Sequence, residues 1–210
     1  MNESAVTFRS GELTLAGRLA RPDGAGAFPG AVICHPHPMY GGSMENNVVE
    51  AIVSAMWRCG YATLRFNFRG VGASEGEYDG GAGEADDARA AVEFLCRQEA
   101  VARAAIALAG YSFGAGIAMR AGLADLRVAR VIAVALPVAA MDSGGDAQAT
   151  KPVLLVSGDR DSYSPIATLE QTARTLGAAA TLKVIAGADH FFGGCEAALD
   201  DAIARSIQGD

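Results

Sequence analysis

Residues 110–114 read Gly-Tyr-Ser-Phe-Gly, a G-x-S-x-G that follows the apolar run 105–109 and precedes the small-residue helix start Ala115-Gly116-Ile117-Ala118. A serine on a sharp strand-to-helix turn projects its hydroxyl above the sheet, and glycines two residues to either side let neighbouring backbone pass close. The pentapeptide alone is met by chance in a chain with 26 glycines; strand before and helix after make it specific. Ser112 is therefore a candidate nucleophile, but a hydroxyl attacks poorly until a base takes its proton. Of the three histidines, His35 and His37 precede the serine, whereas His190 follows the last strand-like run, within Gly187-Ala188-Asp189-His190-Phe191-Phe192. An acid to orient that base is available in Gly158-Asp159-Arg160-Asp161, just past the apolar run 153–156, which gives the chain order Ser, Asp, His. Asp159 and Asp161 both qualify. Asp189 is the weaker choice, because adjacent residues of an extended segment point to opposite sides.

Three side chains so far apart in sequence need a scaffold that gathers them. Segments 5–9 and 13–20 read as a short antiparallel start, with Leu13, Leu15, Gly17 and Leu19 on one face. Short continuous apolar runs follow at 31–34, 62–66, 105–109, 131–136, 153–156 and 182–185, each of the kind expected of a strand buried on both faces. Between them lie helical stripes: Val49, Ile52, Val53 and Met56; Ala88, Ala91, Val92 and Leu95; Ile166, Leu169, Ala173 and Leu176; and a closing Leu199, Ala202, Ile203 and Ile207. Strand-helix alternation of this length predicts right-handed crossovers onto a mostly parallel sheet flanked by helices, in which ligands bind beyond the carboxyl ends of the strands.

Composition narrows the function. At 210 residues, half of them hydrophobic, the chain suits one core, and 1–210 is expected to be a single α/β domain. A net charge of −7 argues against a nucleic-acid or anionic-membrane surface, which needs clustered cations. Met1-Asn2-Glu3-Ser4 carries no positive or apolar leader, and no apolar run nears the roughly 20 residues of a membrane span, so a cytoplasmic protein is expected. Cys34, Cys59, Cys96 and Cys195 form no C-x-x-C pair and read as reduced thiols.

Four motifs make the chain resemble a capless α/β-hydrolase of the dienelactone-hydrolase-like group over nearly its whole length: His35-Pro36-His37-Pro38-Met39-Tyr40-Gly41-Gly42, Arg65-Phe66-Asn67-Phe68-Arg69-Gly70-Val71-Gly72-Ala73-Ser74, the serine turn, and Gly158 to Asp161 with His190. The family's G-x-x-D pattern selects Asp161 as the acid, leaving Asp159 as a minority alternative. The resemblance makes the 35–42 segment the oxyanion-hole loop, although His35 and His37 share a face and could also be read as a metal pair. Pro38 has no N–H, so Met39 or Tyr40 is the expected second donor beside the Phe113 amide. One departure matters: dienelactone hydrolases use a cysteine nucleophile, and serine here implies general esters.

Other readings are weighed against this one. Gly70-x-Gly72 lacks the third glycine of a dinucleotide loop, and the acidic stretch 83–87 is best taken as a helix N-terminus. Tyr40, Phe191 and Phe192 are expected to line an acyl pocket. The interval 137–152, with Asp142-Ser143-Gly144-Gly145-Asp146, is too short for a helical lid, which predicts an open groove and small or short-acyl substrates. The expectation is acyl transfer from a small-molecule ester with no metal or organic cofactor; an amidase or peptidase using the same triad, or a catalytically silent binding protein, are the alternatives.

Overall fold

Runs of aliphatic residues four to six long are too short to bury themselves as helices, but strands hydrogen-bonded on both edges and covered on both faces satisfy them. The structure, a computed structural model describing residues 1–24, 26–137 and 148–209, makes a strand of each run and places all but the 182–185 run inside the sheet. Its strands are β1 (Glu3–Ser10), β2 (Leu13–Ala20), β3 (Phe28–Cys34), β4 (Ala62–Phe66), β5 (Val101–Tyr111), β6 (Val128–Val134), β7 (Val153–Gly158) and β8 (Ala180–Ile185). They form one sheet in the order β1-β2-β4-β3-β5-β6-β7-β8. β1 pairs antiparallel with β2 and β2 with β4; every later pair is parallel.

Five helices cover the sheet: α1 (Asn47–Arg58), α2 (Ala82–Cys96), α3 (Phe113–Gly122), α4 (Ile166–Leu176) and α5 (Glu196–Gln208). Buried residues of α2, α3 and α4 pack in one core layer, while those of α1 and α5 pack with each other in the opposite one. Val49, Ile52, Val53 and Met56 of the first stripe and Ala88, Ala91, Val92 and Leu95 of the second are all buried. This is an α/β-hydrolase architecture, and among the described residues every helix and strand belongs to the sheet or its flanks, leaving none to build a cap.

Two sequence expectations are corrected. The run 182–185 was expected to be buried on both faces, yet β8 alternates and Val184 is 45% exposed, because it is the last strand of the sheet. The run 131–136 ends as a strand at Val134, where Ala135 turns to φ +49°. In the 83–87 stretch only Glu84 acts at the helix start, accepting from the Asp79 and Gly81 amides; Asp87 points inward, fully buried, onto Arg69 and Ser10. The Asp142–Asp146 run of the 137–152 connection lies outside the described residues. Among the described residues no helix is long and apolar enough to cross a membrane.

Candidate active site

β5 delivers the first group. Ser112 sits between the end of β5 and the first residue of α3 at φ +55°, ψ −118°, a conformation rare for any residue with a side chain. The flanking glycines are dictated by space: a Cβ on Gly110 would lie 2.0 Å from the Gly114 carbonyl oxygen, and one on Gly114 would lie 2.4 Å from the Cys34 oxygen at the end of β3. The elbow is therefore pressed against the segment that follows β3, which brings the 35–42 loop beside the serine.

His190 and Asp161 arrive from the loops after β8 and β7. The loops are tied together, with the Arg160 amide donating to the Ala188 carbonyl at 3.0 Å and the Gly187 amide to Asp159 Oδ1 at 2.8 Å. Ser112 Oγ stands 3.0 Å from His190 Nε2. On the other side of the ring, His190 Nδ1 is 3.0 and 2.9 Å from the two Asp161 oxygens. Asp161 also accepts from the Tyr163 and Ser164 amides at 2.9 and 3.0 Å. Burial alone raises its pKa, but the hydrogen bond and charge of His190, with those two amides, outweigh burial and hold the carboxyl below the usual range. Asp159 is spent on the Gly187 amide and Asp189 on the Phe191 amide; neither faces the ring. Tyr111 donates to the His190 carbonyl at 2.9 Å, and the Tyr163 ring lies 4.7 Å from the imidazole.

The expected second oxyanion donors are not free. Residues 38–40 form a short 3-10 turn in which the Met39 amide donates to His37 Nδ1 at 3.2 Å and the Tyr40 amide to the His37 carbonyl at 3.1 Å. The free amide lies two residues before Met39: the His37 amide makes no hydrogen bond among the described residues, and His37 lines the same cavity as Ser112 and Phe113. The His37 ring is held by the Met39 cap, by Tyr78 Oη at 3.2 Å from Nε2, and by the Phe113 ring at 4.8 Å. Proline at 38 carried the hint, since it places the following amides inside a turn and leaves the preceding one outside.

His35 and His37 do not face one another as ligands. His35 is fully buried, its Nε2 accepts from the Phe68 amide at 3.0 Å, and its Nδ1 lies 2.6 Å from the Pro36 carbonyl. Burial pushes its pKa down to about 4. Among the described residues no cluster of histidine, cysteine and carboxylates has metal-binding spacing.

The groups converge on a cavity of about 830 Å³ lined by, among others, Tyr40, Phe113, Ile117, Arg120, Tyr163 and Phe191. Phe192, expected there, is a second correction: it is fully buried in the layer shared by α1 and α5, turned away by its φ of +55°. Tyr78, Tyr163 and Arg120 escaped the sequence reading; Arg120 alone left a signal, its spacing from Phe113 and Ile117 on α3.

Known proteins bear on this arrangement. The family model of X-Pro dipeptidyl-peptidase (S15 family) matches residues 11–205. The uncharacterized protein RP471 of Rickettsia prowazekii is 35% identical over 195 residues, 89% of this chain and 81% of that one. An alpha-beta serine hydrolase homologue from Coxiella burnetii superposes with a TM-score of 0.89 at 34% identity, covering 99% of this chain and 98% of that chain. XC6422 from Xanthomonas campestris, an a/b serine hydrolase without lid, superposes with a TM-score of 0.84 at 31% identity, covering 99% and 94%. By its fold, its motifs and the extent of the family match, the chain belongs to the S15 family of α/β-hydrolases.

Proposed function

We propose that this protein is a serine ester hydrolase acting on small or short-acyl carboxylic esters through an acyl-enzyme intermediate. The observation that carries the reading is the continuous relay of Ser112 Oγ, the His190 ring and Asp161, at 3.0 and 2.9 Å, opening onto one cavity. In this reading Ser112 attacks the carbonyl carbon as His190 Nε2 takes its proton, and Asp161 keeps the other ring proton on Nδ1 and stabilises the imidazolium. The Phe113 amide, at the first turn of α3 with no partner inside the helix, and the His37 amide receive the oxyanion. His190 then protonates the leaving alcohol, and water repeats the sequence to release the acid. The motif resemblance to the dienelactone-hydrolase-like group agrees with this chemistry, with serine in place of cysteine.

The S15 family name favours a second reading, removal of dipeptides from peptide N-termini. Such an enzyme must hold the substrate's ammonium group, which calls for a carboxylate in the pocket. Among the described residues the cavity has none and instead presents Arg120, so the ester reading is preferred. The test is labelling by a fluorophosphonate probe together with hydrolysis of p-nitrophenyl acetate and butyrate. Wild-type protein is expected to be labelled and active, and Ser112→Ala to lose both while keeping its thermal midpoint. An S112A protein as active as wild type would remove Ser112 from the mechanism, and an unlabelled, inactive wild type would favour a silent binding protein.

A further inference from the structure

Among the described residues, and apart from the histidines, the cavity above Ser112 has one wall residue with a permanent charge, the exposed Arg120. Four guanidiniums elsewhere are matched, with Arg58, Arg65, Arg69 and Arg127 each holding a carboxylate at 2.6–2.8 Å. Arg120 makes no ion pair or side-chain hydrogen bond among the described residues. An arginine with no acid beside it among the described residues that line the cavity is poised for an anion that arrives with the ligand.

Its placement is specific. Phe113, Ile117 and Arg120 follow i, i+4, i+7 on α3 and share a face. Arg120 lies seven residues past the start of the helix, about 10 Å along its axis, with a side chain that slants back toward the elbow. A Cβ on Gly81 would stand 3.9 Å from Arg120 Nη1, 3.6 Å from Ile117 Cδ1 and 3.7 Å from Phe113 Cε2, and Gly81, at φ +99°, carries none. The space beside these three side chains therefore stays open. Glu84, close by in α2, does not neutralise the arginine: it is fully buried and its oxygens are taken by the Gly81 and Asp79 amides at 2.7 and 2.9 Å.

We infer that Arg120 recognises a carboxylate carried by the substrate at a distance from the scissile carbonyl, so that the enzyme's preferred esters are anionic. The inference rests on the ester-hydrolase reading. The planar fork of a guanidinium matches a carboxylate with two parallel hydrogen bonds, and because Arg120 is exposed the attraction has the modest, salt-screened size of a surface pair. A neutral tail in the same groove gains only the part of its burial that water does not reach.

The experiment compares kcat/KM for charged and uncharged esters of matched length in two arms. The first sets mono-p-nitrophenyl adipate and suberate against p-nitrophenyl hexanoate and octanoate, with charge on the acyl side; the second sets 6-acetoxyhexanoate against hexyl acetate, with charge on the alcohol side. In wild-type protein the charged ester is expected to win in at least one arm by roughly three- to five-fold, the size of one partly exposed ion pair. That ratio should shrink in 0.5 M salt as the charges are screened, fall to about one in Arg120→Gln, survive in Arg120→Lys and drop below one in Arg120→Glu. Ratios near one in both arms, or equal ratios in wild type and R120Q, overturn the inference and leave ester hydrolysis standing. If R120Q does not fold, the R120K ratio and the salt dependence of wild type decide it: no salt dependence and no preference overturn it. A wild-type protein that cleaves no ester in either arm overturns this inference and the proposed function together.

Discussion

Asp159 and Asp161 occupy one short turn after β7, and their environments assign them different work. Asp161 is 5% exposed and meets the imidazole with both oxygens within hydrogen-bond range, while Asp159 fastens the neighbouring loop by accepting from the Gly187 amide. Asp161→Asn is expected to cost on the order of 10⁴ in kcat, as in the serine-protease triad, because an amide in that place favours the wrong imidazole tautomer. Asp159→Asn keeps an oxygen that can accept from Gly187 and should cost less than about ten-fold, acting through loop order alone. Steady-state kinetics of the two variants decide the ranking, and the reverse order would make Asp159 the acid. At this scale the meeting of Ser112 and His190 was legible because one sits on a strand-to-helix turn and the other is among only three histidines, whereas the family resemblance was what separated Asp161 from Asp159. Which amide of the 35–42 loop stays free was not legible, because an amide has no residue type and its freedom depends on how the 3-10 turn at Pro38–Tyr40 spends its neighbours. Phe192 was misread for a related reason, since a positive φ that turns a ring from pocket to core leaves no mark in an aromatic pair.

Strands and helices were far more legible than the loops between them, since buried runs and 3.6-residue stripes record how many faces of an element are covered. Where the record failed, at β8, the missing information was the sheet order: a strand's neighbours, and hence its exposure, follow from topology that its own six residues do not carry. The most constrained junction is where the β5–α3 elbow meets the end of β3. A methyl group on Gly114 would stand 2.4 and 2.5 Å from the carbonyl oxygens of Cys34 and His35, and main chain in the middle of a sheet cannot give way as a side-chain tip can. Gly114→Ala is expected to cost about 3 kcal/mol or more through overpacking, a fall of roughly 6–12 °C in the melting temperature for a chain of this size. Gly193→Ala, where a Cβ would meet nothing within 4 Å, serves as the control and should melt within about 2 °C of wild type. A G114A protein as stable as its control would mean that the elbow and the β3 end are not in contact in solution.

The whole molecule inherits a pH dependence from a histidine that does no chemistry. His35 joins the 35–42 loop to the turn after β4: its Nε2 accepts from the Phe68 amide, and its ring lies 4.6 Å from the Phe68 ring. Both contacts suit the neutral ring, and burial holds the folded pKa down at about 4 from an ordinary 6.5. Between those values the unfolded chain binds a proton that the folded chain refuses. Stability from this group is therefore fully present above pH 6.5 and is lost as the pH falls toward 4, after which the loss levels off. Burial lowers the His37 pKa in the same direction, against a smaller opposing pull from Glu84, and Asp161, also held low, adds to the loss when it protonates in more acid solution. The His35 share amounts to about 3 kcal/mol over the full window and roughly 1 kcal/mol by pH 5.5. Urea unfolding at pH 7.5, 6.5, 5.5 and 4.5 should show the wild-type midpoint falling through this range, and His35→Gln, which offers the Phe68 amide an acceptor that does not titrate, should flatten the slope between pH 6.5 and 5.5 even if it starts from lower stability. Parallel slopes in the two proteins would show that the acid sensitivity comes from other groups, and that the His35 ring exchanges protons in the fold as freely as it does in the unfolded chain.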